Sequence, residues 1–403
     1  MTMRRGACPT LSAPMKTGDG LLARIAPAHG ALTPEKLAGI AKAAGRHGNG
    51  ILEVTARGKL QIRGLTAESA PLICAEINAL DLGAVDGFAV ETGPLDGLAQ
   101  NALGDPTALA RRIDEHAAAH CLATRLAPKV SVTVDGGGTL HLDAIGADIK
   151  LVALGDGLWQ IGVGGNGATA GWLGQGDEQA VGAAALAVLD LLAQTGGRAR
   201  NFSQAQREAL RAGLEPAVQY AARADSAPVG RFALKDGESA LGIALPFGQV
   251  AAEALVALCE AASDAREIRL APRSGLLLIG LDEPRQDALS RGAEALGFVT
   301  DGHDPRLSIA ACAGAPACAS ARFDAKALAA EAAEAGLPDG SFRLHLSACE
   351  KCCARPAGAA VNLIAAEGCC TLSSIGAEPS ERLRTFLIER GEKLRAALLR
   401  KTG

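Results

Sequence analysis

The 403-residue chain contains no stretch of about 18 uncharged apolar residues, no long basic run and no dinucleotide-binding fingerprint. The first absence argues against a membrane-spanning helix. The N-terminal MTMRRGACPTLSAPMKTGDG has two arginines but no apolar segment behind them, so it does not read as a secretory leader. A soluble, cytoplasmic protein with no membrane partner is expected. Forty basic against forty-four acidic residues leave a net charge of -4, which argues against nucleic-acid binding through general phosphate neutralisation. The glycine-rich GVGGNGAT, residues 162 to 169, follows a strand-like segment but lacks the G-x-G-x-x-G spacing and the acidic residue about 20 positions on. It reads as a turn, or as backbone approaching a flat ligand.

What is present is length enough for two or three packed units and an unusual distribution of cysteine. The eleven cysteines are odd in number, and five fall between residues 349 and 370, which suits thiolate ligation in a reducing compartment better than a disulfide framework. Cys312 and Cys318 in SIAACAGAPACAS form C-x5-C, and Cys349 and Cys353 in LSACEKCCARP form C-x3-C after a gap of 30 residues. Structural zinc knuckles space their cysteines more tightly, whereas an iron-sulfur cluster tolerates wider loops. Cys352 offers an alternative C-x2-C. Cys74, Cys121 and Cys259 fall in helical patterns and read as core residues, and Cys369 and Cys370 as a buried strand turn.

An internal repeat organises the chain. GLLARIAPAHGALTPEKLAGIAKA and ALGIALPFGQVAAEALVALCEA share an apolar strand, a Pro/Gly turn and an amphipathic helix. A second strand follows each, so that TARGKLQIRGL (55 to 65) aligns with APRSGLLLIGL (271 to 281) and Arg57 meets Arg273. The expected fold class is α+β (mixed α/β), with two ferredoxin-like half-domains paired by a pseudo-twofold and two mixed sheet units. The expected boundaries are an arm at 1–14, half-domains at 15–83 and 228–300, a mixed domain and linker at 84–227, and a cysteine-bearing domain at 301–403. Between the copies, the helical DPTALARRIDEHAAAHCLATRL and DEQAVGAAALAVLDLLAQ flank the strands PKVSVTVDGGGTLHL, ADIKLVALG and GLWQIGVGG.

Read as one strand, residues 55 to 63 place Thr55, Arg57, Lys59, Gln61 and Arg63 on a single face. The second copy satisfies the same architecture with Ala271, Arg273, Gly275, Leu277 and Ile279, one charge in place of three. The extra cations are therefore not demanded by the fold and point to a polyanionic ligand. Arg24 adds to them, with Ile243 as its approximate counterpart.

These features resemble the nitrite/sulfite reductase superfamily: T-x-R and Q-x-x-G (Thr55, Arg57, Gln61, Gly64), two half-domains, then C-x5-C and C-x3-C in that order. Within it, RRGACPTLSAPMKTGDGLLARI, DGGGTLHLDAIGADIKL and ACAGAPACAS are most similar to the precorrin-3B synthase family. The resemblance implies a [4Fe-4S] cluster on Cys312, Cys318, Cys349 and Cys353, with Cys353 favoured over Cys352. It also places Arg24, Arg57 and Lys129 around a tetrapyrrole, with Lys59 and Arg63 completing the expected basic face. The departures agree: the reductases' K-x-K is Lys129 and Ser131, the histidine of Q-x-H-G is Arg63, and no Lys or Arg occurs from Gly64 through Ala110. Cations for carboxylates are kept while those for a small oxyanion are lost, so the tetrapyrrole reads as substrate.

The implied enzyme is a monooxygenase of cobalamin biosynthesis acting on precorrin-3A with dioxygen. NADH is its reductant, acting through a separate reductase or other electron donor. A sirohaem-dependent sulfite or nitrite reductase is the alternative. A non-catalytic iron-sulfur or zinc protein would have no use for a polyanion clamp. A mononuclear non-haem iron is also implied by the family, without assigned ligands. His116 and His120, spaced i, i+4 with Asp114 and Glu115 nearby, are candidates but read more simply as a solvated helix face, and His303 and His345 as structural.

Overall fold

A computed structural model describes residues 9–27, 30–82, 88–356, 358, 360–367 and 369–401. The first eight residues of the expected arm, with Cys8, and the expected boundary at 83–84 lie outside them. No helix among the described residues is long and apolar enough to cross a membrane.

Each copy of the repeat builds one antiparallel sheet, and each sheet borrows a strand from the other copy. The first runs Met15–Thr17, Gly20–Ile25, Leu60–Leu65, Ile51–Val54 and then Gln249–Ala251 from the second copy. The second runs Gly230–Ala233, Ser239–Ala244, Gly275–Ile279, Glu267–Ala271 and then Ala31–Leu32 from the first. This reciprocal exchange has the symmetry of the pseudo-twofold read from the repeat. Helices Pro34–His47 and Ala252–Ala261 pack together beneath both sheets, with Leu37, Ala41, Leu255 and Leu258 in one shared core. Thr33 caps the first helix by accepting from the Lys36 N–H, and Pro34 opens it with a preset φ. Each fully buried leucine on this stripe contributes roughly 1.5–3 kcal/mol.

Residues 51 to 65 are a hairpin. The strand Ile51–Val54 ends before Thr55, residues 55 to 59 form the turn, and the return strand begins at Leu60. The single-strand reading is thus corrected, because Gly58, with φ of +70°, turns the chain and ends the alternation. Residues 272 to 274 form the equivalent turn of the second copy. The two turns touch: Arg273 donates its backbone N–H to Ala56 O at 3.1 Å. Register also corrects the counterpart of Arg24. Arg24 lies opposite Gln61, and Leu277, which aligns with Gln61, lies opposite Gly242.

The third sheet, Gly171–Asp177, Leu158–Gly165, Ala147–Gly155, Ser131–Asp135 and Ala89–Thr92, mixes antiparallel and parallel pairs and packs on helices Thr107–Ala119 and Glu178–Thr195. The expected strand through TLHL stops at Asp135, since Leu140 takes a left-handed φ of +60° in a loop. The fourth sheet orders Ile309–Ala311, Arg343–Ser347, Ala360–Ala366 and Cys369–Ile375. Helices Ala325–Glu334 and Glu381–Lys401 cover it, and Leu344, Leu346, Val361 and Leu363 lie in their core. Cys259 is buried, as expected of a core residue, but Cys121 and Cys369 are exposed, the latter on an edge strand and not in a buried turn.

Candidate active site

A cavity of about 630 Å³ opens where the two hairpin turns meet the third and fourth units. That size falls within the roughly 300–1,000 Å³ usual for a ligand pocket. Its walls include Thr55–Arg57 and Pro272–Ser274 from the two turns, Asp143–Gly146, Asn166 and Ala168 from the third unit, and Leu307, Ile309–Ala313 and Cys353–Pro356 from the last. GVGGNGAT therefore reaches the cavity as a turn, through Asn166 and Ala168.

Seven cationic side chains line this space, Arg57, Arg223, Arg273, Arg306, Lys326, Arg343 and Arg355, against the carboxylates of Glu53, Asp143 and Asp225. Arg57 is anchored by Glu91, with Nε 3.1 Å from both carboxylate oxygens, and donates Nη1 to Gly146 O at 2.8 Å. Arg273 and Arg343 are different. The Nε atoms of both are buried without a hydrogen-bond partner. Burial and the neighbouring Arg273 push the Arg343 guanidinium down to about 10, with Asp225 as the opposing influence. Two half-buried guanidinium groups beside one carboxylate leave a local excess of positive charge.

The structure separates the five cations expected on the basic face. Arg57 lines the cavity. Lys59 lies behind it, 3.9 Å from Glu91, with its pKa lowered by burial. Arg24 faces Gln61, whose amide oxygen, turned toward it, accepts from Nε at 3.0 Å and Nη2 at 2.6 Å. Lys129 is exposed with a φ of +66° in the turn before Ser131–Asp135. Arg63 is 3% exposed and held by Asp19 and Glu53, away from the cavity wall. Sequence reasoning missed Arg223, Arg306, Lys326, Arg343 and Arg355 and credited Arg273 only as a counterpart. The alignment of Arg57 with Arg273 was the available signal.

Four thiols converge at one end of the cavity. Burial, and then the neighbouring Cys349, Cys312 and Cys318, push the Cys353 thiol up, which brings together the four cysteines of the two motifs. Cys312 Sγ accepts from Ala348 N–H at 3.3 Å, and Cys312 and Cys353 both line the cavity. Cys352 turns elsewhere: its φ is +49° and its sulfur accepts from Arg355 Nη2 at 3.3 Å. Zinc–sulfur bonds of about 2.3 Å hold thiolates close around one ion. Among the described residues, the set of three or more ligand groups within 4.8 Å of one another is Asp135, His141 and Asp143, and does not include these cysteines. The quartet thus fits a cluster with separate corners better than a single tetrahedral ion.

That acidic set does not fit a mononuclear iron. Asp135 Oδ2 accepts from Leu142 N–H at 2.7 Å and Arg223 Nη2 at 2.8 Å. Asp143 accepts from Tyr220 OH and from Arg223, whose Nε lies at 3.0 Å. His141 uses Nε2 on Ala224 O and Nδ1 on Asp143 N–H. The buried Lys150 Nζ, 2.8 Å from Leu142 O, adds a second positive charge. Arginine and lysine already neutralise both carboxylates. Of the other histidines, His116 pairs with Asp190 at 2.9 Å, His303 is exposed, and His345 is buried against Asn362 at 3.0 Å.

A family model of the nitrite/sulfite reductase ferredoxin-like half domain matches residues 13–80. The solved structure of the Mycobacterium tuberculosis NirA protein superposes with a TM-score of 0.68 over 86% of this chain and 71% of that one, at 20% sequence identity. The chain is therefore an α+β protein with the nitrite/sulfite reductase fold. A precorrin-3B synthase from Sinorhizobium sp is 38% identical over 374 residues, 91% of this chain and 82% of the relative. The chain belongs to the precorrin-3B synthase family and is an oxidoreductase.

Proposed function

We propose that the chain converts precorrin-3A to precorrin-3B in aerobic cobalamin synthesis, by hydroxylation at the C20 meso carbon with lactone formation by a ring A acetate. Dioxygen supplies the oxygen, and NADH supplies electrons through a separate reductase in the cytoplasm. One observation carries this reading at the site: the half-buried Arg273 and Arg343, whose Nε atoms are buried without a partner on the cavity wall. Such a pair suits ligand carboxylates, which accept charge-assisted hydrogen bonds from guanidinium groups. Arg57, Arg306 and Arg355 line the same cavity, so a substrate with several carboxylates would be held at several points and one edge turned toward the thiols. Fixed orientation of this kind can supply several kcal/mol of a barrier.

Cys312, Cys318, Cys349 and Cys353 would hold a [4Fe-4S] cluster. When bound, it supplies single electrons at a potential set by its surroundings. The chain's own contribution there is the Ala348 N–H aimed at Cys312 Sγ and the Lys326 ammonium near the same thiol. No step is assigned to a mononuclear iron, because Asp135, His141 and Asp143 are already engaged.

Anaerobic purification with iron and acid-labile sulfide analysis and an absorption spectrum tests this reading. A cluster without haem is expected. Sirohaem bands would favour a sulfite or nitrite reductase instead, and a colourless zinc form would remove the redox reading.

A further inference from the structure

The first half-domain reaches into the loop between Cys312 and Cys318. Arg63 Nη2 donates to Ala317 O at 2.7 Å, and Gly18 N–H donates to the same oxygen at 3.2 Å. Asp19 fixes this guanidinium, with Nε at 3.0 Å from Oδ2 and Nη2 at 2.9 Å from Oδ1, and Glu53 accepts from Nη1 at 3.1 Å. Glu53 in turn accepts from Lys326 Nζ at 3.1 Å, at the start of the helix Ala325–Glu334, and from Gln249 Nε2 at 2.8 Å on the exchanged strand. The buried Arg63 and the half-buried Asp19, Glu53 and Lys326 thus join both half-domains to the cysteine loop and to the helix that follows it. Contact at the loop is also steric: a Cβ on Gly18 would lie 2.6 Å from Ala319 N and 2.7 Å from Pro316 O.

The fold does not demand this arrangement. Ile279 stands at the position of Arg63 in the second copy, fully buried and apolar. A guanidinium hidden from solvent and away from the cavity wall, with a carbonyl between two cysteines as its target, has that loop as its object.

We propose that Arg63 is a positioning residue for the cysteine loop, clasping it from the first half-domain so that Cys312 and Cys318 are held at the separation a cluster requires. The proposal rests on the reading of the four cysteines as cluster ligands. It implies that the loop can be loosened in two unrelated ways: by removing the forked contact, or by pushing the backbone away.

The test uses the full chain, purified anaerobically with its cluster, in three variants. R63K keeps the charge but loses the fork, G18A leaves every charge in place, and R198K breaks another forked pair, Arg198–Asp148, in the third unit. Iron release to a chelator should be roughly tenfold faster in R63K and in G18A, the loss expected from one charge-assisted hydrogen bond or its equivalent. The electron paramagnetic resonance signal of the reduced cluster should change shape in both. R198K should lower the thermal midpoint but leave iron release and the resonance signal as in the wild type. Wild-type iron release in R63K and G18A, or equal acceleration in R198K, would overturn the clasp. Absence of iron and sulfide from the wild-type chain would overturn the cluster reading itself, and the clasp with it.

Discussion

The two ferredoxin-like copies turn the same sheet face toward different neighbours. In the second copy that face carries Leu277 and Ile279, which pack with Ala240 against Leu95, Ala99 and Leu140 of the third unit. Its charged pair is Glu267 and Arg269, 3.0 Å apart, and Arg269 also donates to the carbonyls of Pro94 and Asp96. In the first copy the same positions are Gln61 and Arg63, joined by Asp19, Glu53 and Arg24 and directed toward the cysteine loop. Both faces are buried, so burial alone does not select the chemistry. An apolar face is sufficient to join a half-domain to its neighbour. A buried ionic face is weak evidence for stability and better evidence for a specified geometry.

The largest effect should come from removing Arg63 altogether. Arg63→Ala strips the half-buried Asp19 of its guanidinium partner and leaves Glu53 to Lys326 and Gln249, and should destabilise the chain by about 3–5 kcal/mol, with loss of iron. Ile279→Ala at the equivalent place should destabilise by about 2–5 kcal/mol in denaturant unfolding while iron content stays at the wild-type level. Equal iron loss in both would erase the distinction between the faces.

Next in size is the cavity pair. Arg343→Gln relieves the repulsion from Arg273, so stability should hold or rise, while affinity for a carboxylated tetrapyrrole, measured by titration, should fall about 10- to 100-fold. A fall in stability with unchanged affinity would assign Arg343 to the fold.

The acid side of the pH profile separates the two faces further. Burial alone would raise Glu53, but Lys326, Arg63 and Gln249 outweigh it and hold its pKa below the ordinary 4.5. Asp19 is likewise held below 3.8, chiefly by Arg63 against the opposing effect of burial. A depressed folded pKa means that the stabilisation is complete above the unfolded value and is lost as pH falls through the folded one. Stability should therefore decline below about pH 4.5, and Glu53→Gln should flatten that decline.

The smallest effect is expected for the exposed pair Arg266–Glu238 in the second copy, 2.9 Å apart. Its removal should leave the unfolding midpoint and the iron content unchanged, since exposed pairs are screened by solvent.

Much of this architecture was legible in the sequence because it is local or repeated. The paired half-domains followed from the alignment of residues 55–65 with 271–281, and the four cysteines from their spacing. The hairpin was misread because alternation continues through Thr55, Arg57 and Lys59 whether or not the chain turns at Gly58. The exchanged strands, Ala31–Leu32 and Gln249–Ala251, are too short to show a period. Arg223 and Arg343 carry no local signal, because the cavity that joins them to Arg57 is assembled from segments more than a hundred residues apart. Arg63 looked like a ligand for substrate since its charge was visible and its burial was not.

The most direct test gives the anaerobically purified, cluster-loaded chain precorrin-3A, a reductant and then dioxygen, and follows the product by mass spectrometry with isotopically labelled oxygen. One labelled oxygen atom incorporated into a lactone product is predicted. No oxygenated tetrapyrrole, together with reduction of sulfite or nitrite by the same preparation, would contradict it.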